Sequence, residues 1–211
     1  MHEQALARAN DWNVLNFACS GATVRDGVLG VQILGEQVAP PQIAQAQRAT
    51  EASVVLVSAG ANDARWSDLV QLGAISPSCD DRASTAFFAR FALDYRRLLR
   101  ILVTLPQHPA VVVNKYYDPF GPDVSCLRDE GLTRQKAEVL RSRLAALNAV
   151  LRQGAETACF TAVKQDFEGH RLCSAQPYVQ GLADRAPLHP TAAGALAIAL
   201  ADQRALPADE N

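Results

Sequence analysis

The sequence predicts a doubly wound α/β fold, a parallel sheet with helices on both faces, and three observations carry that reading. Val54-Val55-Leu56-Val57 and Val111-Val112-Val113 are continuous, β-branched apolar runs rather than alternating ones, the pattern of strands covered on both faces. Segments with apolar residues at three- and four-residue steps stand between the strand-like runs. Strand–helix–strand connections close with right-handed crossovers, which makes the strands parallel.

In chain order, the first strand-like run is Trp12 to Ala18. A helix is expected over Gln37 to Thr50, followed by the strand Ser53 to Val57. The next helix runs from about Ser84 to Leu105, burying Phe87, Phe91, Leu98 and Leu102 before Pro106 stops it. The strand Ala110 to Val113 leads to a helix whose inner stripe is Ala137, Leu140, Leu144, Leu147 and Leu151, with Gly154 placed to end it. Thr157 to Val163 reads as the last strand and Thr191 to about Leu206 as the last helix. One domain over 1–204 accounts for all of these, with 205–211 as a frayed polar tail.

Composition narrows the function classes. Of 211 residues, 49% are apolar and 20% charged, enough for an ordinary core and too apolar for disorder. Twenty basic against twenty-two acidic side chains leave no positive excess for nucleic acid or an anionic membrane surface. No apolar run approaches the roughly 18–20 residues of a membrane span, and no targeting signal is visible. Cys19, Cys79, Cys126, Cys159 and Cys173 form no CxxC or Cys/His cluster of zinc-ligand spacing, so no structural metal is expected.

In such a sheet, ligands sit outside the carboxyl ends of the strands. Three segments occupy those ends: Cys19-Ser20-Gly21-Ala22, Gly60-Ala61-Asn62-Asp63 and Asn114-Lys115-Tyr116-Tyr117. Asn62 is either a helix cap in a strand-to-helix turn or a side-chain amide able to stabilise a developing oxyanion. Gly21 is either part of a plain tight turn or a second backbone oxyanion donor. His189, in Leu188-His189-Pro190-Thr191, stands just before a helix and is either a solvated loop residue or a general base. His2, His108 and His170 read as terminal or surface groups. Ser20 lacks the Gly-x-Ser-x-Gly elbow of a nucleophile, and no Gly-rich loop suits a flavodoxin-like phosphate binder. Tyr116, Tyr117, Trp66 and Tyr178 lie in candidate rim loops, where aromatic residues also serve as plain packing.

Taken together, Asn16 to Thr23, Gly60 to Asp63 and His189-Pro190 resemble the SGNH, or GDSL-type, esterases and lipases, particularly the secreted actinobacterial lipase-like branch. The resemblance runs from about Trp12 to Ala199 and implies the three-layer, flavodoxin-like α/β/α fold of that family, with strand order 2-1-3-4-5. It implies a carboxylic ester hydrolase in which the Gly21 N–H and the Asn62 amide are oxyanion donors and His189 is the general base. No metal or organic cofactor is implied. The implied partner is a small-molecule or lipid ester, handled by a monomer without stable membrane insertion, and the implied location is extracellular.

Two departures from the family pattern follow. The position three residues before the His, an Asp in many relatives, is Ala186, so the resemblance implies that the main-chain carbonyl of Ala186 orients His189; Asp184 is the weaker substitute. The family's Gly-Asp-Ser occurs nowhere in the 211 residues. The chain opens in what resembles the helix after the nucleophile strand, so the expectation is a domain truncated at its N-terminus, lacking its first strand and inactive alone. A late-assigned start codon or a gene fragment accounts for this better than a pseudoenzyme or a takeover by Ser20. The alternative from another class is a non-catalytic, ligand-binding pseudo-esterase domain. Finally, the resemblance implies a Cys126–Cys173 disulfide, leaves Cys19, Cys79 and Cys159 as thiols, and places the partner of Cys19 outside the chain.

Overall fold

A computed structural model describes residues 2–66 and 81–206. Their elements, in order, are α1 (His2–Ala9), β1 (Gln32–Leu34), β2 (Gln37–Ala39), α2 (Gln42–Ala46), β3 (Val54–Val57), α3 (Asp81–Val103), β4 (Ala110–Asn114), a 3₁₀ turn (Ser125–Leu127), α4 (Arg134–Thr157), β5 (Thr161–Val163) and α5 (Ala192–Ala205). Cys79 and the expected tail beyond Leu206 lie outside the described residues.

The parallel sheet has the order β3-β4-β5, with Val55 opposite Val111 and Val113 opposite Ala162. Alternation along β4 shows why the apolar run is continuous. Val111 and Val113 face Phe91, Tyr95, Leu98 and Leu102 of α3 and Leu147 and Leu151 of α4. Asn114, and with it Val112, faces the other way, where Asn114 meets Asp202 of α5. Helix α1 packs on α5, completing the third layer. The chain therefore folds as the expected three-layer α/β/α arrangement.

Several expected elements differ. Trp12 to Ala18 is not a strand: Val14 and Leu15 are exposed and no strand lies alongside among the described residues, so β propensity has no ladder to satisfy. The helix expected over Gln37 to Thr50 is a hairpin strand, β2, followed by the short α2. Pro40 and Pro41 divide them, since Pro41 supplies no N–H and holds Pro40 extended. Gly154 does not end α4. It lies inside the helix, where an added Cβ would come within 2.7 Å of the Tyr95 ring, so it lets α3 and α4 approach closely. The helix ends at Thr157, and just past its cap Cys159, at φ 57°, takes the left-handed position while Phe160 N–H closes back on the Ala155 carbonyl at 2.9 Å. The last strand consequently shrinks to Thr161–Val163.

A second apolar cluster lies beyond the strand tips. Phe120, Val124, Leu127, Leu132, Phe167, Leu172, Val179 and Leu188 pack there against Leu140 of α4 and Ile198 of α5. Cys126 and Cys173 are joined by a disulfide beside it, closing a separation of 47 residues. Cys19 and Cys159 are free thiols.

Candidate active site

Two strand-tip loops dock on one another. After β3, Gly60 turns the chain at φ 125°, with its α-carbon so close to Phe91 and Leu147 that a Cβ would meet them at 2.9 and 3.1 Å. The turn delivers Asn62 and Asp63 to the segment 21–24. Asn62 donates from Nδ2 to the Ala22 carbonyl at 2.9 Å, and both Asp63 oxygens accept from Val24 N–H, at 3.1 and 3.0 Å. Burial pushes the Asp63 carboxyl above its ordinary range, and the Val24 N–H opposes that. Neither side chain serves the simple cap expected as one alternative; both hold the neighbouring loop.

The consequence is a pair of adjacent donors. A side-chain amide has two N–H groups, and the Ala22 carbonyl uses one of them. Gly21, at φ 75°, makes no hydrogen bond through its N–H among the described residues. Both Gly21 and Asn62 are open to solvent. Gln32 supports the loop from below, donating from Nε2 to the Ser20 carbonyl at 2.8 Å.

His189 sits on the loop before α5 and is also exposed. Its Nδ1 lies 3.1 Å from the Pro187 carbonyl. A carbonyl only accepts, so in the neutral imidazole Nδ1 carries the proton and Nε2 the lone pair, the tautomer a general base needs. The orienting carbonyl is thus that of Pro187. The Ala186 carbonyl instead accepts the backbone N–H of His189 at 3.1 Å, and Asp184 is occupied 2.6 Å from the Gly181 N–H. The chain turns sharply enough to separate these roles because Leu188, buried between them, takes a φ of 64°.

No hydrogen bond joins His189 to Gly21 or Asn62 among the described residues; the two loops are related through the end of β4. Tyr116 accepts the Ala61 N–H on its Oη at 3.1 Å, and Tyr117 donates from Oη to the Leu188 carbonyl at 2.6 Å. Burial pushes the Tyr116 hydroxyl up to about 12 and raises that of Tyr117 too, so both are neutral at physiological pH. Consecutive residues of an extended segment point to opposite sides, and here one ring serves each loop. Sequence reasoning placed both tyrosines on the rim without assigning them this anchoring; their position just past a β strand was the available signal. Trp66 contacts the Phe120 ring at 6.4 Å within the cluster that holds Leu188, and Tyr178 stacks on His170 at 3.9 Å.

The family pattern of the GDSL-like lipase/acylhydrolases matches residues 2–197. Among solved structures, the extracellular lipase of Streptomyces rimosus is similar over 97% of this chain and 86% of its own, with 20% identity and a TM-score of 0.79. Phospholipase A1 of Streptomyces albidoflavus is similar over 96% and 85%, again at 20% identity, with a TM-score of 0.68. A putative acylhydrolase of Bacteroides fragilis, 13% identical, is similar over 97% and 78% with a TM-score of 0.52. No curated protein matches the chain. Identities this low speak for the fold, whereas the pattern match spans almost the entire sequence: the chain belongs to the GDSL-like lipase/acylhydrolase family.

Proposed function

We propose that this chain carries the oxyanion donors and general base of a carboxylic ester hydrolase. The observation that carries the reading is the docking of Asn62 on the carbonyl of Ala22, the residue after Gly21, which leaves one amide N–H of Asn62 and the N–H of Gly21 unspent on neighbouring loops. Two such donors at strand tips suit the negative charge that grows on a carbonyl oxygen during acyl transfer. His189, with its proton fixed on Nδ1 by Pro187, has Nε2 available to take a proton from an attacking hydroxyl. The acyl group passes to that hydroxyl's oxygen while the imidazolium gives its proton to the departing alcohol; water, deprotonated by the same nitrogen, then attacks the acyl-enzyme, and the proton returns to the serine oxygen as the acid leaves.

The attacking serine in this reading lies outside the 211 residues, which contain no Gly-Asp-Ser. Support comes from β3, which is an edge strand among the described residues, and from the unpaired stretch 12–18 with its exposed Val14 and Leu15. The single domain 1–204 then works as part of a larger unit, and the chain alone turns over no ester. Its likeness to an extracellular lipase and a phospholipase A1 supports an acyl ester as substrate, and the Cys126–Cys173 disulfide supports an exported protein. No described helix is long and apolar enough to cross a membrane.

The test is hydrolysis of a short p-nitrophenyl ester, by the 211 residues alone and by the chain joined to the segment encoded directly upstream. Activity only in the joined form, lost with His189→Ala, is the expected result. Turnover by the 211 residues that disappears with Ser20→Ala would overturn the assignment of the nucleophile. A stop codon directly before Met1 would favour the non-catalytic binding domain.

A further inference from the structure

Lys115, at the third strand tip, has no part in the ester chemistry proposed above. It borders a separate cavity of about 290 Å³ between the ends of β4 and β5 and the inner face of α4. From the geometry we propose that this cavity binds a phosphate monoester, its dianionic group held by Lys115, Lys164 and Arg171.

The first argument is charge. The lining holds four cations, Lys115, Arg141, Lys164 and Arg171, against two carboxylates, Asp118 and Asp166, in a chain whose net charge is −2. Asp118 is shared: Arg141 Nε lies 3.3 Å from its Oδ2 and Arg171 Nη1 3.8 Å from the same oxygen. Asp166 answers Lys164 at 3.2 Å. Lys115 has no carboxylate within ion-pair distance among the described residues. One guanidinium and one ammonium are therefore uncompensated, the charge that a dianion matches.

Donor supply is the second argument. Arg141 spends Nη2 on the Phe120 and Gly121 carbonyls, so it braces the wall rather than reaching a ligand. Arg171 keeps a buried Nε without a hydrogen-bond partner. Burial lowers the Lys115 ammonium below its ordinary range, and Arg152 and Lys164 add to the effect, a penalty that a bound anion would remove. Beside these donors Leu144, Ala145 and Phe167 give an apolar wall for a small organic group. The cavity also lies outside the carboxyl ends of parallel strands, where sheets of this class bind ligands.

The phosphate could belong to a soluble ester or to a lipid headgroup, and the experiment separates them. Glycerol 3-phosphate and inorganic phosphate are titrated calorimetrically into the 211-residue chain at low ionic strength, and vesicles of phosphatidylcholine with and without phosphatidic acid are tested by cosedimentation. The expected result is one site per chain, weakened about tenfold or more by Lys115→Gln or Lys164→Gln, retained by Lys115→Arg and unchanged by Lys136→Gln, which lies outside the cavity. Soluble binding with that sensitivity assigns a free ester, and vesicle binding alone with that sensitivity assigns a headgroup. Binding to neither probe, or binding that Lys115→Gln and Lys164→Gln leave intact while their melting temperatures match wild type, overturns the proposal. No readout requires ester turnover, so failure of the catalytic assignment would leave this one standing.

Discussion

Asn62 Nδ2 lies 2.9 Å from the carbonyl oxygen of Ala22, and this bond sets the amide beside Gly21. Replacing Asn62 with Ala removes a proposed oxyanion donor and also frees the 21–24 loop. In the form competent for catalysis, kcat should fall about 100- to 1,000-fold, as loss of one such donor costs elsewhere. Asn62→Asp keeps an oxygen near the same place but no N–H, and should be no better. A kcat within about threefold of wild type in both variants would remove Asn62 from the oxyanion site.

Tyr117 is the hydroxyl that holds the turn before His189. With Phe in its place the stacking on Phe167, 4.2 Å between ring centres, survives while the Leu188 carbonyl loses its 2.6 Å partner. A buried acceptor left unmade costs about 1–3 kcal/mol, and Leu188 already holds a left-handed φ that favours escape. The expected outcome is a lower melting temperature and faster exchange of the Leu188 amide, which bonds the Gln180 carbonyl at 3.1 Å. Equal exchange rates in Tyr117→Phe and wild type would show that the hydroxyl does not hold the turn.

How much of this was legible in the sequence depends on whether a residue's role is fixed by its neighbours in the chain. The β4 run was readable because burial on both faces demands continuous apolar residues, and β3 beside it, half-buried along its length, carries the same pattern. Trp12 to Ala18 has the same local character but no strand beside it, and pairing is not a local property. Gly154 looked like a helix end because its use, the approach of Tyr95 from α3, comes from about 60 residues away. The loop around His189 was placed correctly in the chain, yet the orienting carbonyl moved from Ala186 to Pro187, because a leucine at φ 64° announces nothing in advance. Asp184 illustrates the reverse: once it is seen on the Gly181 N–H, Asp184→Ala should change the pH–rate profile of the competent enzyme little, whereas a shifted acidic limb would restore it as the partner of His189.

Gly194 tests how tightly α5 is seated behind His189. A Cβ there would fall 2.1 Å from the Tyr178 carbonyl oxygen, which also accepts the Thr191 N–H at 2.8 Å. Backbone cannot give way as a side-chain tip can, so Gly194→Ala should cost about 2 kcal/mol or more. Gly169→Ala is the matched control. Nothing lies within 4 Å of the new Cβ, and only its φ of 77° resists, about 1 kcal/mol. Urea melts that rank Gly169→Ala as the more damaging change would contradict this seating.

The disulfide closes a loop of 47 residues around the second apolar cluster. Loop-closure entropy puts its effect on the unfolded chain at about 4 kcal/mol. Reduction, or Cys126→Ser with Cys173→Ser, should lower stability by up to that amount without altering the hydrogen bonds of Asn62 or His189. Thiol titration of the unreduced, denatured protein should leave Cys126 and Cys173 unlabelled; labelling of both would refute the bond.

Asp202 gives stability a pH dependence of a definite sign. The carboxylate is fully buried, receives Asn114 Nδ2 at 3.2 Å and Gln165 Nε2 at 3.4 Å, and is raised to about 6, first by burial and further by Glu3. His2 Nε2, 4.0 Å away, offers little charge in return, because burial lowers its own proton affinity. A carboxyl that binds its proton more tightly folded than unfolded contributes most at low pH. That contribution is fully present below the unfolded value near 4 and is lost as pH rises through about 6. The cost of ionising it in place is on the order of 3 kcal/mol. The melting temperature should therefore rise as pH falls from 7 towards 5.5, before other carboxylates titrate. Asp202→Asn, neutral throughout, should flatten that rise; an identical slope in the variant would mean that some other group supplies it.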